Sequence, residues 1–117
     1  MNKYEIQISP KAILEVPLQL YENDYIFLVN GKEFKTNRLC ADLISPKISH
    51  IHLTDPTNNK FIINTFQKGN FLNVINLLNF QSNEIDESEL PFISEVIEIL
   101  GNNHIELKDK NQNEQIS

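Results

Sequence analysis

Asp24 and Arg38 are the pair of side chains whose types and spacing most invite a chemical reading. Asp24 opens an apolar run, and Arg38 begins the helical segment after the returning strand. A carboxylate at a strand start can meet a guanidinium at the first turn of the next helix, and a bidentate pair there would fix the junction. A structural ion pair is the expected role, ahead of a ligand contact, because such pairs are common and individually weak. His50 and His52 form an H-x-H, but residues two apart on a helix do not face each other. With no Cys or carboxylate cluster beside them, no metal site is predicted. His104 follows a glycine stop and is expected at the surface.

Cys40 falls on an apolar helix face, where a buried inert thiol is expected, since nothing near it in sequence would lower its pKa. Glu84, Asp86, Glu87 and Glu89 form an acidic cluster that reads as a solvated loop. Gly31, Gly69 and Gly101 are isolated and suit turns or caps, so none builds a phosphate-cradling loop. No set of His, Cys or carboxylates converges on a catalytic arrangement. The sequence therefore predicts no enzyme, no cofactor and no catalytic residue.

These residues sit in a chain of 117 with a formal net charge of -6. That length makes one domain with one core. The acidic balance argues against nucleic acid and against anionic membrane surfaces, both of which need basic patches. A single cysteine can form no internal disulfide. No apolar run approaches the ~18 residues of a spanning helix, and Met1 to Pro10 lacks the continuous apolar stretch of a signal peptide. A soluble cytoplasmic protein is the expectation, with no signal separating it from a nuclear one.

The elements that must position Asp24 and Arg38 lie between Asp24 and Ser45. Tyr25 to Val29 is a run of aromatic and branched residues suited to a buried strand. Asn30-Gly31 is the strongest short-range hairpin signal, because a type I′ turn needs φ > 0 at both central positions. Glu33 to Thr36 alternates as a returning strand. Arg38 to Ile44 then sets Leu39, Cys40, Leu43 and Ile44 on one helix face. Ser45-Pro46 caps and opens a second helix reaching about His52, with Ile48 and Ile51 inward. Asp55 to Asn59 is a turn, and Lys60 to Thr65 a third strand.

Gly69-Asn70 opens a helix from Phe71 to about Phe80, with Asn70, Asn73, Asn76 and Asn79 on its solvated side. Ser88 is expected to cap Glu89 to Leu100, and Gly101 to stop it. Phe34, Leu39, Leu43, Val74, Leu78, Val96 and Leu100 are the predicted core.

Residues 1–23 read as an N-terminal arm. Tyr4, Ile6 and Ile8 alternate as in a short strand, and Pro10 and Pro17 interrupt regular structure. Leu18, Leu20 and Tyr21 are expected to lie against the body. Residues 24–107 form the folded domain, and residues 108–117 form a polar tail expected to be disordered. The fold class is α+β: a small, mostly antiparallel sheet led by a β-hairpin, with four or five helices on it.

From Asp24 to Ile105 the sequence resembles a divergent BTB/POZ domain. The family opens a hairpin with Asp, here Asp24, and places a Phe in it, here Phe34. An Ala-His-Arg step precedes its first helix, here Thr36-Asn37-Arg38, and that helix closes at Ser, here Ser45. Phe71, Val74 and Ile75 resemble its Phe-x-x-Leu-Leu helix. The departures are Asn37 for His, Asp42 for Ala, Lys47-Ile48 for Tyr-Phe, and Phe80-Gln81-Ser82 for a Tyr-Thr-Gly turn. The resemblance implies a protein-interaction module that self-associates and acts as an adaptor. It implies that Asp24 and Arg38 line or support a charged pocket at a dimer surface. It also implies that the arm crosses to a partner, with Leu18, Leu20 and Tyr21 as binding residues. Many members dock on cullin-type ubiquitin-ligase scaffolds through an apolar residue two positions before a Glu. Here Phe66-Gln67-Lys68 puts a Lys in that place, so cullin binding is not expected. The competing expectations are a non-catalytic fragment of a larger repeat-containing protein and a small-ligand-binding domain.

Overall fold

The hairpin forms where the turn chemistry places it. Asn30 has φ 51° and Gly31 φ 84°, the paired left-handed conformations of a two-residue hairpin turn. This is seen in a computed structural model, which describes residues 3–79 and 84–107. Strand β1 (Tyr25–Val29) pairs antiparallel with β2 (Lys32–Thr36), with Phe27 opposite Phe34. A third strand, β3 (Lys60–Ile63), pairs with the other side of β1 in parallel, Phe27 beside Phe61. The order is β2-β1-β3. The sheet is thus half parallel, where a mostly antiparallel one was expected. The reason lies in the connection: two helices stand between β2 and β3, long enough to carry the chain past β2 to the far side of β1, where it enters alongside β1 and in the same direction.

Those helices are α1 (Arg38–Ile44) and α2 (Pro46–Thr54), and each starts on a side-chain cap. The Asn37 Oδ1 accepts the Cys40 N–H at 2.8 Å. Ser45 Oγ accepts the Ile48 N–H at 3.2 Å and donates to the Leu100 carbonyl at 2.8 Å. Ser45 is fully buried, so both bonds are needed to offset its desolvation. Asn102 closes the same corner by donating to the Ile44 carbonyl at 2.8 Å. The end of α1, the start of α2 and the end of the last helix are therefore tied at one point.

After β3 comes α3 (Leu72–Ile75), which passes into a 3-10 turn over Asn76–Asn79. The continuous helix expected from Phe71 is thus shorter, and Phe80 lies outside the described residues. Helix α4 (Leu90–Leu100) follows a 3-10 turn over Glu87–Glu89. Ser88 does not cap it: it sits inside that turn, exposed, and no side chain caps α4. Gly101, with φ 73°, stops α4 in the left-handed conformation that an L-residue with a side chain disfavours.

The core gathers where the sheet meets α3 and α4. Tyr25, Phe27 and Val29 face it from β1, and Ile26 and Leu28 on the other face are half-buried. The Phe71 ring sits 4.9 Å from that of Phe27 and 5.4 Å from that of Phe34, at tilted angles. Phe92, Ile93, Val96 and Leu100 supply the α4 stripe. Gly69 is required here by contact: a Cβ on it would come 2.4 Å from the Phe92 ring.

Of the predicted core, Phe34, Val74, Val96 and Leu100 are buried. Leu78 lies outside the residues whose side chains are described. Leu43 is half-buried and Leu39 is exposed. Helix α1 instead buries Cys40, Ala41 and Ile44, a stripe turned by one residue from the expected one. Ala41, fully buried, is the cause: its small side chain lets the helix approach its neighbours on that line. On α2, Ile48 is fully buried and Ile51 half-buried.

The arm contains no strand among its described residues. Tyr4, Ile6 and Ile8 are 89%, 99% and 82% exposed, and short 3-10 turns follow at Pro10–Glu15 and Leu18–Leu20. The architecture is α+β, and among the described residues no helix is long and apolar enough to cross a membrane.

Candidate interaction site

The arm meets the body at the N-terminus of α1, and three side chains build that junction. Asn37 occupies the cap position with its extended backbone, so its amide has one end for the helix and one to spare. The spare end, Nδ2, donates to the Leu18 carbonyl at 2.8 Å. Leu18 is 3% exposed, so this bond secures the one arm residue that docks fully among those described. Leu20 and Tyr21, expected beside it, are exposed instead. The 3-10 turn Leu18–Leu20 explains the split: in so tight a turn, neighbouring side chains point in different directions.

Asp24 and Arg38 also meet here, but not as expected. The Asp24 Oδ1 accepts the backbone N–H of Arg38 at 2.7 Å. The guanidinium turns away and donates to the Pro56 carbonyl. So the pair forms no bidentate bridge. The carboxylate satisfies an open amide at the helix start, where the helix dipole favours negative charge. The long Arg38 side chain is then free to fasten the loop between α2 and β3.

That loop leads to a polar network which sequence reasoning missed. His52 is 9% exposed, its Nδ1 2.6 Å from the Asp42 carboxylate and its Nε2 2.9 Å from the Asn58 carbonyl. The Tyr25 hydroxyl donates to Asn58 Oδ1 at 2.7 Å, and the Tyr25 and His52 rings meet edge-on at 5.7 Å. Burial first, and the Asp42 carboxylate second, push the Tyr25 phenol up to about 12, with Arg38 pulling the other way. In the turn before Asn58, the Thr57 hydroxyl and amide hold the Asp55 carboxyl below its usual range.

The Asp42–His52 pair resembles part of a catalytic triad in type alone. A general base must present a ring nitrogen to substrate, and here the second nitrogen is already spent on a backbone carbonyl. The arrangement ties α1, α2, β1 and the loop together. Asp42 and His52 lie on different helices ten positions apart in sequence, so no local pattern signals the pair. Asn37 entered the sequence reading only as a departure from the family's His; its residue type before a helix was a capping signal left unused. Cys40 is buried, and His50 and His104 are exposed. Of the acidic cluster, Asp86 and Glu87 are exposed, while Glu89 accepts the Asn70 N–H at 3.0 Å.

A further exposed feature is the free side of β3. Ile26 donates to the Asn59 carbonyl and Asn30 to the Ile63 carbonyl, both at 2.9 Å. By the two-residue period of a strand, the backbone groups of Lys60 and Ile62 therefore face away from β1. Among the described residues no strand covers that edge. Ile62 on it is 57% exposed.

No protein-family model, no curated protein and no solved structure matches this chain.

Proposed function

We propose that this chain is a BTB/POZ-like protein-interaction module that pairs with a second copy of itself and serves as an adaptor. The observation that carries the reading is a pair of complementary features, although on the strand edge the Lys60 carbonyl already accepts from Asn58 Nδ2 at 3.1 Å. Tyr4, Ile6 and Ile8 alternate as a strand yet stand in solvent, while β3 offers an open edge with an exposed Ile62. An extended segment added to a free edge satisfies backbone groups on both sides and buries alternate side chains. Exchanged between identical chains, it closes a two-fold dimer. The hairpin-led order β1-β2-α1-α2-β3 supports the BTB/POZ-like part of the reading. Asp24 and Arg38 serve this module by fixing the α1 junction beside Leu18, with Leu20 and Tyr21 as exposed contact residues. Docking on a cullin-type scaffold is not part of the proposal, because Lys68 reverses the charge that such docking uses.

The test is mass in solution by light scattering at tens of micromolar. The full chain is expected to be a dimer and a chain lacking Met1 to Pro17 a monomer. Two monomers would overturn the reading.

A further inference from the structure

The loop after β3 ends against the hairpin tip, and between them lies a groove of about 340 Å³. Val29, Phe34 and Leu72 give it an apolar lining, beside the polar Asn30 and Asn70. Its rim carries Lys32 and Lys68. The Lys32 ammonium stands 5.4 Å above the centre of the Phe34 ring, so charge and apolar lining are adjacent. The groove is held open by Asn30. Its Oδ1 accepts the Thr65 N–H at 2.7 Å, and its Nδ2 donates to Thr65 Oγ1 at 3.2 Å. Thr65 Oγ1 in turn donates to the Gln67 carbonyl at 2.8 Å. A preformed groove loses little entropy on binding. On the same loop Phe66 is 101% exposed, its ring wholly outside the fold.

Among the described residues no carboxylate lines this groove. Glu33 alternates to the opposite face of β2 from Lys32 and Phe34. Glu89, which reaches Asn70, is occupied by the Asn70 amide and the Asn73 side chain. No Asp or Glu occurs between Asp55 and Glu84. The net charge of -6 is spread over the whole chain, and exposed charges beyond about 8 Å are largely screened at physiological salt. The Glu89 carboxylate keeps its charge while bonded to the Asn70 amide, but the Lys32 and Lys68 ammonium groups outnumber it, so the local balance favours an acidic ligand.

We propose that the groove between the hairpin tip and residues 65–70 docks an acidic segment of another protein, with a bulky apolar side chain against Val29, Phe34 and Leu72 and carboxylates on Lys32 and Lys68. Phe66 packs on the same segment as an aromatic anchor, the residue class that dominates such interfaces. This extends the interaction-module reading to a second surface, away from the arm. An apolar lining with a point-charge rim discriminates by two independent requirements, and a segment lacking either binds weakly.

The experiment is selection of displayed random peptides on the full chain, with Lys32→Glu/Lys68→Glu and Phe66→Ala chains in parallel. All three changed residues are exposed, and circular dichroism checks the fold of each variant. Expected are enriched peptides that set Asp or Glu beside a large apolar residue. They should bind the double charge variant at least about tenfold more weakly, since two charge contacts become repulsions. Phe66→Ala should weaken them too, and amide shifts in the full chain should centre on residues 29–34 and 65–72. No enrichment, enriched peptides without acidic residues, or equal binding to the charge variant would overturn the proposal. So would inorganic polyphosphate displacing the peptides from a chain carrying Phe66→Ala as readily as from the unaltered one, because the site would then read charge alone. Mass measured on the charge variant separates the two readings: an unchanged dimer leaves self-association standing whatever the peptides do. Loss of the dimer would make the occupant a second copy and overturn the proposal.

Discussion

Tyr4, Ile6 and Ile8 alternate with polar residues, as Phe34 and Thr36 do along β2, yet the first stretch stands in solvent and the second is a strand. Ordering a residue costs on the order of 1–2 kcal/mol of backbone entropy. In β2 that cost is offset, because β1 supplies hydrogen bonds and Phe34 reaches the Phe71 ring. The arm has the same local pattern, yet among the described residues it pairs with no strand, although the β3 edge of its own chain is uncovered. Alternation thus states which residues a strand would bury, and only pairing together with a core to bury them makes the strand form. Among the described arm residues Leu18 alone is buried, and the Asn37 amide holds its carbonyl. The body is tied by Ser45, Asn102, Asn37 and the His52 network.

The largest way to break this contrast is to empty the body's core. Phe71→Ala removes the ring that bridges Phe27 and Phe34 and should cost about 3–5 kcal/mol. Leu43→Ala, on the half-buried flank of α1, should cost only about 1 kcal/mol. Urea denaturation of both variants checks the order. If Leu43 proves the costlier site, the stripe on α1 is not the one centred on Ala41.

Alkaline pH should loosen the body through Tyr25. Its phenol is raised from 10.0 to about 12 in the folded chain, so the neutral form is the one the fold favours. The stabilisation is complete below pH 10 and is lost as pH climbs from there toward 12. Two pKa units correspond to roughly 2–3 kcal/mol. Absorbance of ionised tyrosine should show one of the three tyrosines appearing late, and Tyr25→Phe should abolish that late step. A titration unchanged in Tyr25→Phe would disprove the assignment.

How much of this was legible follows from the range of each interaction. The turn at Asn30-Gly31, the cap at Ser45-Pro46 and the stop at Gly101 were readable because each is a local backbone demand met by one or two residues. The face of α1 was misjudged by one residue, because Ala41 counts little in an apolar pattern but much in close packing. Ser88 looked like a cap, yet a 3-10 turn had already begun. Asp24 and Arg38 were rightly brought together, but which atoms meet depends on the Pro56 carbonyl, eighteen positions beyond Arg38. Asp42–His52 and Asn102–Ile44 join elements distant in sequence, and nothing in either local pattern announces them.

Asn37 divides the two regions most finely, since its amide serves both. Asn37→Ala loses the α1 cap and one of the two bonds to the Leu18 carbonyl, which keeps the Tyr21 N–H at 3.2 Å, and should cost about 1–2 kcal/mol. Asn37→Asp separates the roles. A carboxylate still accepts the Cys40 N–H at a helix start, where negative charge is favoured, but it cannot donate to Leu18. Its midpoint of denaturation should stay near that of the parent chain, while limited proteolysis should cut the arm before Leu18 faster. Equal cutting rates would mean that Leu18 is held by its own burial and not by the amide.

The smallest expected effect on stability is the one that tests the arm most directly. Ile6→Lys changes a side chain that is 99% exposed, so the monomer loses no buried contact. Surface changes of this kind usually stay within about 0.5 kcal/mol. If the arm stays in solvent in every state, nothing measurable should change. If it adds to a β3 edge in a second copy, the same substitution sets an ammonium where an apolar side chain would be buried, next to Lys60 on that strand. Edge lysines are a common means by which proteins prevent such pairing. Dimer dissociation should then rise by about tenfold or more, which is 1.4 kcal/mol, with the unfolding curve of the isolated subunit unmoved. Sedimentation across a concentration series reads the first quantity and urea denaturation of dilute protein the second. A variant that loses stability but keeps its dimer would place Ile6 in the core of its own chain, and the contrast between arm and body would be wrong.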